Sequence, residues 1–228
     1  GQDPQGEAPS APARDLRADG PWDVEEVHGR DGRIDLGALW MRGTPGLELR
    51  LEGDKESQQV AAATAVLGDS MLQVQVFAAP RSSGLWDEIR GEIAAVVQKQ
   101  GGTAEEHEEQ LGTVLRTRMP STGPDNRTVF APTTFVGVDG PRWFLRGVFS
   151  GRAAIDESAA APLVEVFREI VVVRGVDPMA PRELLSLTLP REAEPAPEDV
   201  DDAAEPEEPS TPTHLDPFER GPEITEVR

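Results

Sequence analysis

The sequence predicts an α+β fold in which two packed helices cover a mostly antiparallel sheet. Most apolar segments alternate with polar residues at every second position, as half-buried strands do. Two other segments repeat apolar residues at helical spacing. The order of these segments is four strands, a helix, three strands, a helix and a last strand, and such runs of strands joined by short turns favour an antiparallel sheet with helices packed on it.

The first four predicted strands are separated by residues typical of turns. These strands cover residues 33–41, 47–51, 59–67 and 71–77. Gly43, Pro45 and Gly46 supply the first turn, and Gly68 with Asp69 forms a pair suited to a tight hairpin. The spacing therefore predicts an antiparallel meander.

The first helix is predicted after Pro80, where the period of the apolar residues changes. One helical face would contain Leu85, Ile89, Ile93, Val96 and Val97. Ser82 or Ser83 is expected to cap the start of this helix, and Gly101 and Gly102 to end it.

The C-terminal half of the pattern contains three more strands, a helix and a final strand. The three strands cover residues 111–119, 128–138 and 142–149, and residues 138–141 form the turn between the last two. The second helix is predicted over 162–170 with Pro162 at its start, followed by a buried strand over 170–173.

Composition divides the chain into one predicted domain, residues 21–190, and two segments predicted to be disordered, residues 1–20 and 191–228. Both segments are rich in Pro, Ala and charged residues, with too few apolar side chains to offset the entropy of the chain. The formal net charge is −20, and half of this excess lies in the acidic, Pro-rich segment 191–228. Because a field of this sign repels phosphate, neither nucleic acid nor an anionic membrane is an expected partner.

Localisation is predicted to be cytoplasmic. No window reaches the roughly 18 apolar residues that span a bilayer, and no secretory signal pattern is present. The chain contains no cysteine, which excludes disulfides, thiol chemistry and thiolate metal sites.

Several phrases of the sequence carry a family resemblance. They are WDVEE at 22–26, VDGPRWFLRG at 138–147, VVVRG at 171–175 and MAPRELLSLTLP at 179–190. Over about residues 21–190 the chain resembles an actinobacterial family of unknown function, DUF 3710. The order of strands and helices is also similar to the PsbP-like α/β/α sandwich. That likeness implies a sandwich and a role as a binding or assembly factor.

Five arginines are candidates for an anion-binding or partner-binding patch. Arg116 and Arg118 share one strand face, Arg142 and Arg146 lie four residues apart on another strand, and Arg174 ends the last buried strand. If these strands are neighbours, their guanidinium groups suit carboxylates and phosphates. The alternative is that each arginine pairs with a local Asp or Glu on a solvated sheet face.

Trp143 has two interpretations. It alternates with Leu145 and Phe149, which predicts burial in the core, and the alternative is an exposed anchor for a partner.

Two short motifs are weighed against metal binding and catalysis. In the EEHEE run at 105–109, His107 would need a second ligand three or four residues away, but those positions hold Thr103, Ala104, Gln110 and Leu111. A solvated loop is therefore predicted there and no metal site. GDSM at 68–71 lacks the pattern of a nucleophile elbow and is interpreted as a hairpin turn. No catalytic residue and no cofactor are predicted.

The end of the acidic segment regains apolar residues. Residues 214–228 contain Leu215, Phe218, Ile224 and Val227, a pattern that suits a short docking segment. The alternative is an ordinary solvated terminus.

The leading functional hypothesis is a non-enzymatic protein-binding or assembly module with an unidentified protein partner. A second hypothesis is autoinhibition, in which the acidic tail occupies the arginine face until a partner displaces it. A third is a small-anion-binding sensor or enzyme, whose pocket combines the arginine-lined face with carboxylates distant in sequence.

Overall fold

The structure is a computed structural model that describes residues 17–53, 56, 59–82 and 84–190. Within these residues the chain forms eleven strands and two α-helices. The strands are β1 (Trp22–Asp23), β2 (Ile34–Asp35), β3 (Leu39–Met41), β4 (Glu48–Gly53), β5 (Val60–Leu67), β6 (Ser70–Ala78), β7 (Thr103–Glu109), β8 (Gly112–Thr122), β9 (Thr128–Gly140), β10 (Trp143–Gly151) and β11 (Val171–Val172). The helices are α1 (Trp86–Lys99) and α2 (Glu157–Arg168).

The strands form one large sheet and one small sheet. The large sheet is antiparallel and seven-stranded, with the order β4-β5-β6-β10-β9-β8-β7. The small sheet has the order β1-β11-β3-β2, and its β1–β11 pair is parallel. Consecutive strands are neighbours within β4–β6 and within β7–β10. The predicted four-strand meander is wrong in its first member, because the segment 33–41 lies in the small sheet and only β4, β5 and β6 form the meander.

The two helices pack on opposite faces of the large sheet. Alternate side chains of β10 point to opposite faces, and Phe149 packs against Phe167 of α2 with ring centroids 6.4 Å apart. Phe144, on the other face, stacks on Trp86 of α1 with centroids 6.1 Å apart. We call these the α2 face and the α1 face. This arrangement is an α/β/α sandwich, so the predicted α+β class with a mostly antiparallel sheet is confirmed.

The α2 face holds the main core. Leu39 of the small sheet, Leu163 and Phe167 of α2, and Leu145 of β10 are all completely buried in one cluster. The small sheet and α2 therefore cover this face together.

The α1 face is covered over only part of its width. Helix α1 packs on β7, β8 and β9. Farther along the same face, Arg50 of β4, Thr64 of β5 and Gln73 of β6 are register partners, and Arg50 is exposed. In the described part of the chain no helix packs on this polar section.

Two predicted boundaries at the N-terminal side of the fold are wrong. The single strand expected over 33–41 is instead two short antiparallel strands, because Gly37 adopts a left-handed conformation (φ 81°) between them. Helix α1 is not capped by Ser82; Ser83 lies outside the described residues. Its N-cap residue is Leu85, which forms no side-chain cap bond.

Two further predictions fail later in the chain. The EEHEE run is not a loop but lies in β7, an edge strand whose backbone pairs with β8 and whose glutamates suit a solvated edge. Helix α2 begins at Glu157 and contains Pro162 in its interior. The start is fixed by Asp156, whose carboxylate accepts hydrogen bonds from the backbone N–H groups of Ser158 and Ala159.

Candidate functional site

An apolar groove of about 430 Å³ lies between α1 and the strands it covers. The α1 wall contributes Ile89, Glu92, Ile93, Val96, Val97 and Gln100. The sheet contributes Thr117, Met119, Thr133, Phe135 and Arg146. We call this space the α1 groove. A concave, mostly apolar site with few polar groups is typical of small-ligand sites.

The N-terminal end of α1 is held tightly to the sheet. Asp139 of β9 accepts hydrogen bonds from the backbone N–H groups of Leu85 (2.6 Å) and Trp86 (3.3 Å), and so caps the helix from another strand. The Trp86 ring lies on Gly137, where a Cβ atom would overlap it, and its Nε1 donates to the Thr113 carbonyl at 2.7 Å. These contacts fix the wall of the groove at one end.

Apart from the buried Val97, the rest of α1 packs less closely. Val96 is 53% exposed, while Ile89 and Ile93 are only partly buried against the sheet. The groove therefore opens to solvent along the C-terminal half of the helix.

Arg146 is the cationic group of the groove. Its Nη2 donates to the Gln75 side-chain carbonyl, and its guanidinium carbon lies 5.4 Å from the centroid of the Phe77 ring. Its Nε is buried and has no hydrogen-bond partner. Burial lowers the pKa of Arg146, since desolvation penalises the charged guanidinium.

The carboxylates on the α1 face bind other groups. Glu92, at the groove, accepts hydrogen bonds from Arg182 at 3.0 and 3.1 Å. Glu52 accepts from Thr64 and from Gln73. Among the described residues no ion pair involves Arg146, and the pKa of its guanidinium is lowered by desolvation alone.

The predicted arginine pairs do not converge on one patch. Arg116 is the register partner of Thr134, which is the partner of Phe149, so Arg116 and Arg118 belong to the α2 face. Arg146 belongs to the α1 face. Arg116 is paired with Glu109 at 2.6 Å. The strand register, which the sequence does not reveal, separates these side chains.

Arg142 and Arg174 meet each other through the backbone. Arg142 lies in the turn before β10 with φ 64°, not on the predicted strand. Arg174 is buried, with Nε donating to the Arg142 carbonyl and Nη1 to the Asp177 carbonyl, each at 3.1 Å. Arg174 thus fixes two loops of the fold.

Trp143 lies in the core with none of its surface exposed. Its Nε1 donates to Asp23 Oδ2 at 2.7 Å, which ties β1 to the large sheet, and the Arg17 guanidinium lies 5.5 Å from its ring centroid. In this conformation Trp143 presents no surface to a partner.

Strands β8 and β9 continue beyond their neighbours as a two-stranded arm. The pairing of β7 with β8 reaches Arg118, and the pairing of β10 with β9 reaches Thr133. Beyond these positions, residues 119–122 and 128–131 pair with each other. We call residues 119–131 the β8–β9 arm. Val129 and Phe130 on this arm are 46% and 53% exposed.

A larger, charged cleft of about 950 Å³ borders the small sheet and contains four charged groups that pair with one another. The almost fully buried Arg33 pairs with Glu169 at 2.7 Å. Arg42 pairs with Asp31 at 2.6 Å, and that hydrogen bond raises the pKa of Arg42. Because these charges neutralise one another, the cleft contains no unpaired charge among these residues that would favour binding of a charged ligand.

The remaining candidate residues lie apart. His107 is on β7 with Nε2 3.6 Å from Glu105 Oε2, and the described residues contain no cluster of three potential metal ligands. Ser70 is buried at the start of β6, after the hairpin turn at Gly68 (φ 58°). Neither of the two helices is long and apolar enough to cross a bilayer.

The predicted docking residues of the tail, Leu215, Phe218, Ile224 and Val227, lie outside the described residues. The docking and autoinhibition hypotheses therefore stay predictions.

Sequence reasoning missed both the α1 groove and the β8–β9 arm. The arm had a visible signal, since residues 119–131 contain only two charged residues, Asp125 and Arg127, in a chain that is 28% charged. The sequence signal for the groove was weaker. Thr117 and Met119 lie on the same face of β8, but two such residues do not indicate a binding site by themselves. The isolation of Arg146 from carboxylates depends on strand register and had no local signal.

Comparisons with known proteins assign no activity to the chain. No curated protein matches the chain. The solution structure of cyanobacterial PsbP (CyanoP) from Synechocystis sp. PCC 6803 is similar at 12% identity and a TM-score of 0.34, covering 64% of this chain and 98% of that one. The profile of a family described as "Protein of unknown function (DUF3710)" matches residues 20–196. This match covers most of the chain and confirms the resemblance of the sequence phrases, so the protein belongs to the DUF3710 family.

Proposed function

We propose that the protein is a non-enzymatic binding or assembly module that engages another protein through the β8–β9 arm. The observation that carries this proposal is the exposure of Val129 and Phe130 on a pair of strand ends that, in the described part of the chain, pair only with each other. We also propose that it acts in the cytoplasm, in keeping with a cysteine-free composition.

The chemistry of the arm suits a protein partner. Interface centres are depleted of charge and enriched in aromatic residues, and the arm combines an exposed phenylalanine with few charges. Burying a Phe or Val side chain in a partner contributes about 1.5–3 kcal/mol. Because consecutive strand residues point to opposite faces, Val129 and Phe130 provide one such anchor on each side of the arm.

Side chains, more than strand addition, are proposed to bind the partner. Pro120 lies on one strand of the arm and Pro132 lies at the base of the other, and proline provides no N–H for pairing with an added strand. Proline at such edges also limits indiscriminate strand pairing. A pocket that accepts Phe130 is the expected feature of the partner.

The test compares two full-length variants that carry a tag. The double variant Val129→Ser, Phe130→Ser removes the two exposed apolar side chains of the arm. The matched control Ile155→Ser removes a 69% exposed side chain outside the arm. We expect proteins that co-purify with the native chain from its source cells to be lost with the double variant and kept with the control. Binding of the purified partner should weaken by about tenfold or more, since tenfold corresponds to 1.4 kcal/mol.

Circular dichroism and thermal unfolding establish that the double variant is folded, which is expected because both side chains are solvent-exposed. Equal retention of partners by the native chain and the folded double variant would refute the proposed role of the arm. A shift in native mass by light scattering that only the double variant abolishes would identify the partner as a second copy of the chain.

The alternative of small-anion binding through an arginine-lined face now depends on one residue. Arg116 has a carboxylate partner and Arg174 has backbone partners, whereas Arg146 has an unpaired, buried Nε. Its consequence is developed below as a separate site.

A further inference from the structure

We propose that the α1 groove is a binding site for a small amphiphilic monocarboxylate, whose carboxylate pairs with Arg146 while its apolar body lies along α1. The site includes Met119 at the base of the β8–β9 arm but neither Val129 nor Phe130, and it does not depend on the proposed protein partner.

The first argument is the charge of Arg146. A desolvated cation without a counter-charge is costly to hold, and the protein surrounds this one with Phe77, Gln75 and the apolar lining of the groove. A carboxylate supplies the missing charge and forms strong hydrogen bonds with a guanidinium. The net charge of the chain is −20, so carboxylates are abundant, yet none within the described residues pairs with Arg146. The guanidinium is therefore open to the carboxylate of a ligand.

The second argument concerns the number of negative charges on the ligand. Arg146 is the one cationic side chain among the residues that line the groove. Arg182 does not line it and is already paired with Glu92 and Glu88. Glu92 itself lines the groove and would repel a second negative charge nearby. A single carboxylate is therefore preferred over a phosphate ester or a dicarboxylate.

The third argument concerns the body of the ligand. Ile93 and Val97 of α1 face Phe135 of the sheet across the groove, and these side chains demand apolar contact. The hydroxyl of Thr117 donates to the Thr133 carbonyl at 3.2 Å, so this polar group of the lining is already satisfied. The volume of about 430 Å³ lies within the usual range for small-molecule sites.

The guanidinium is held in position before a ligand arrives. The bond to Gln75 and the contact with Phe77 fix its plane, which reduces the ordering cost of binding. The exposed side of the groove at Val96 provides the entry path. A partly open groove with one ionic contact is expected to bind with a Kd in the micromolar range, on the order of −8 kcal/mol at 1 μM.

The test titrates the full-length protein with decanoate and, as a neutral comparison, with decanol, by isothermal titration calorimetry. We expect decanoate to saturate one site and decanol to bind at least about tenfold more weakly, because it lacks the charge. Arg146→Gln should weaken decanoate binding about tenfold or more. The matched control Arg116→Gln, on the opposite face, should leave the Kd unchanged.

A second variant keeps the test decisive if Arg146→Gln fails to fold. Val96→Asp places a negative charge at the exposed edge of the groove, where it should fold normally and weaken decanoate by repulsion. Undiminished decanoate binding by both folded variants, or no saturation of the native protein at millimolar decanoate, would overturn the proposal. The Val129→Ser, Phe130→Ser variant should keep its decanoate affinity, which separates this site from the arm.

Discussion

The two faces of the large sheet are both covered by a helix, yet they are built for different purposes. On the α2 face, Leu163 and Phe167 are completely buried and the small sheet completes the cover. On the α1 face, the helix is fixed at Trp86 and remains exposed at Val96, and the section around Arg50 has no cover among the described residues. The comparison teaches that close packing is concentrated on the α2 face, while the α1 face retains solvent-accessible surface.

In each helix an aromatic ring packs directly on a glycine of the large sheet. A Cβ atom at Gly147 would lie 2.7 Å from the Phe167 ring, and one at Gly137 would overlap the Trp86 ring. The two faces differ in the residues that surround these ring–glycine contacts. The clusters differ in size: Phe167 belongs to the large main core, whereas Trp86 shares a small cluster with the buried Leu85 and Phe144.

The largest expected effect tests this asymmetry directly. Phe167→Ala should lower the free energy of unfolding by about 3–5 kcal/mol, because it leaves a cavity in a closed core. Ile93→Ala on the α1 face should lower it by only about 1 kcal/mol, since the side chain is partly exposed and the open groove admits water. Urea unfolding followed by tryptophan fluorescence measures both changes.

Losses of similar size from the two substitutions would contradict the comparison and would mean that the α1 groove is as tightly packed as the core. The m-value serves as the control, because an unchanged slope shows that both variants unfold between the same two states.

Much of the fold was predictable because alternation and helical spacing directly record burial. The strands containing Val74 and Leu145 and the helical face with Ile89 and Ile93 were identified in this way. The EEHEE strand β7 was not, since its side chains are mostly solvated and its place in the sheet comes from backbone pairing with β8 and from ion pairs with distant arginines such as Arg90. The strand pairing across the edge of the meander overrides the local preference for a loop.

The candidate site was less predictable than the fold. Arg116 and Arg146 cannot be distinguished from the sequence alone. Strand register places Arg116 beside Glu109 and Arg146 in an apolar groove. The cap of α1 shows the same limit, because Asp139 lies more than fifty residues from Leu85 in sequence and no local pattern identifies it. Contacts between distant segments decide which polar residues are left without a partner.

An intermediate effect is expected from the cap that fixes α1 to the sheet. Asp139→Ala removes the acceptor for Leu85 and Trp86 and should cost about 1 kcal/mol, the usual value of an N-cap. Asp125→Ala, at the exposed tip of the β8–β9 arm, is the matched control and should cost almost nothing. Amide hydrogen exchange should accelerate in the first turn of α1 in the Asp139 variant, while exchange in α2 stays at the native rate. Equal acceleration in both helices would mean that the two faces unfold together.

The smallest effect concerns the N-terminal segment that adjoins β1. Arg17 donates hydrogen bonds to Glu26 at 2.9 and 3.0 Å, and this contact holds the pKa of Glu26 below its usual value of 4.5. The ionised form is therefore favoured by folding, so its contribution is present above pH 4.5 and is lost as the pH falls through the lowered pKa. Because Glu26 is partly solvated, the contribution is below about 1 kcal/mol.

Glu26→Gln should therefore be slightly less stable than the native chain at pH 7, with a difference that shrinks as the pH falls below 4.5. Urea unfolding between pH 3 and 7 measures this difference against Glu25→Gln, whose exposed carboxylate forms no ion pair in the described part of the chain. A stability difference that is constant with pH would show that Glu26 acts by packing and not by charge. A difference that disappears in acid would show that the Arg17–Glu26 ion pair stabilises the segment beside β1 through its charge. This segment adjoins the Asp23–Trp143 hydrogen bond, which ties β1 to the large sheet.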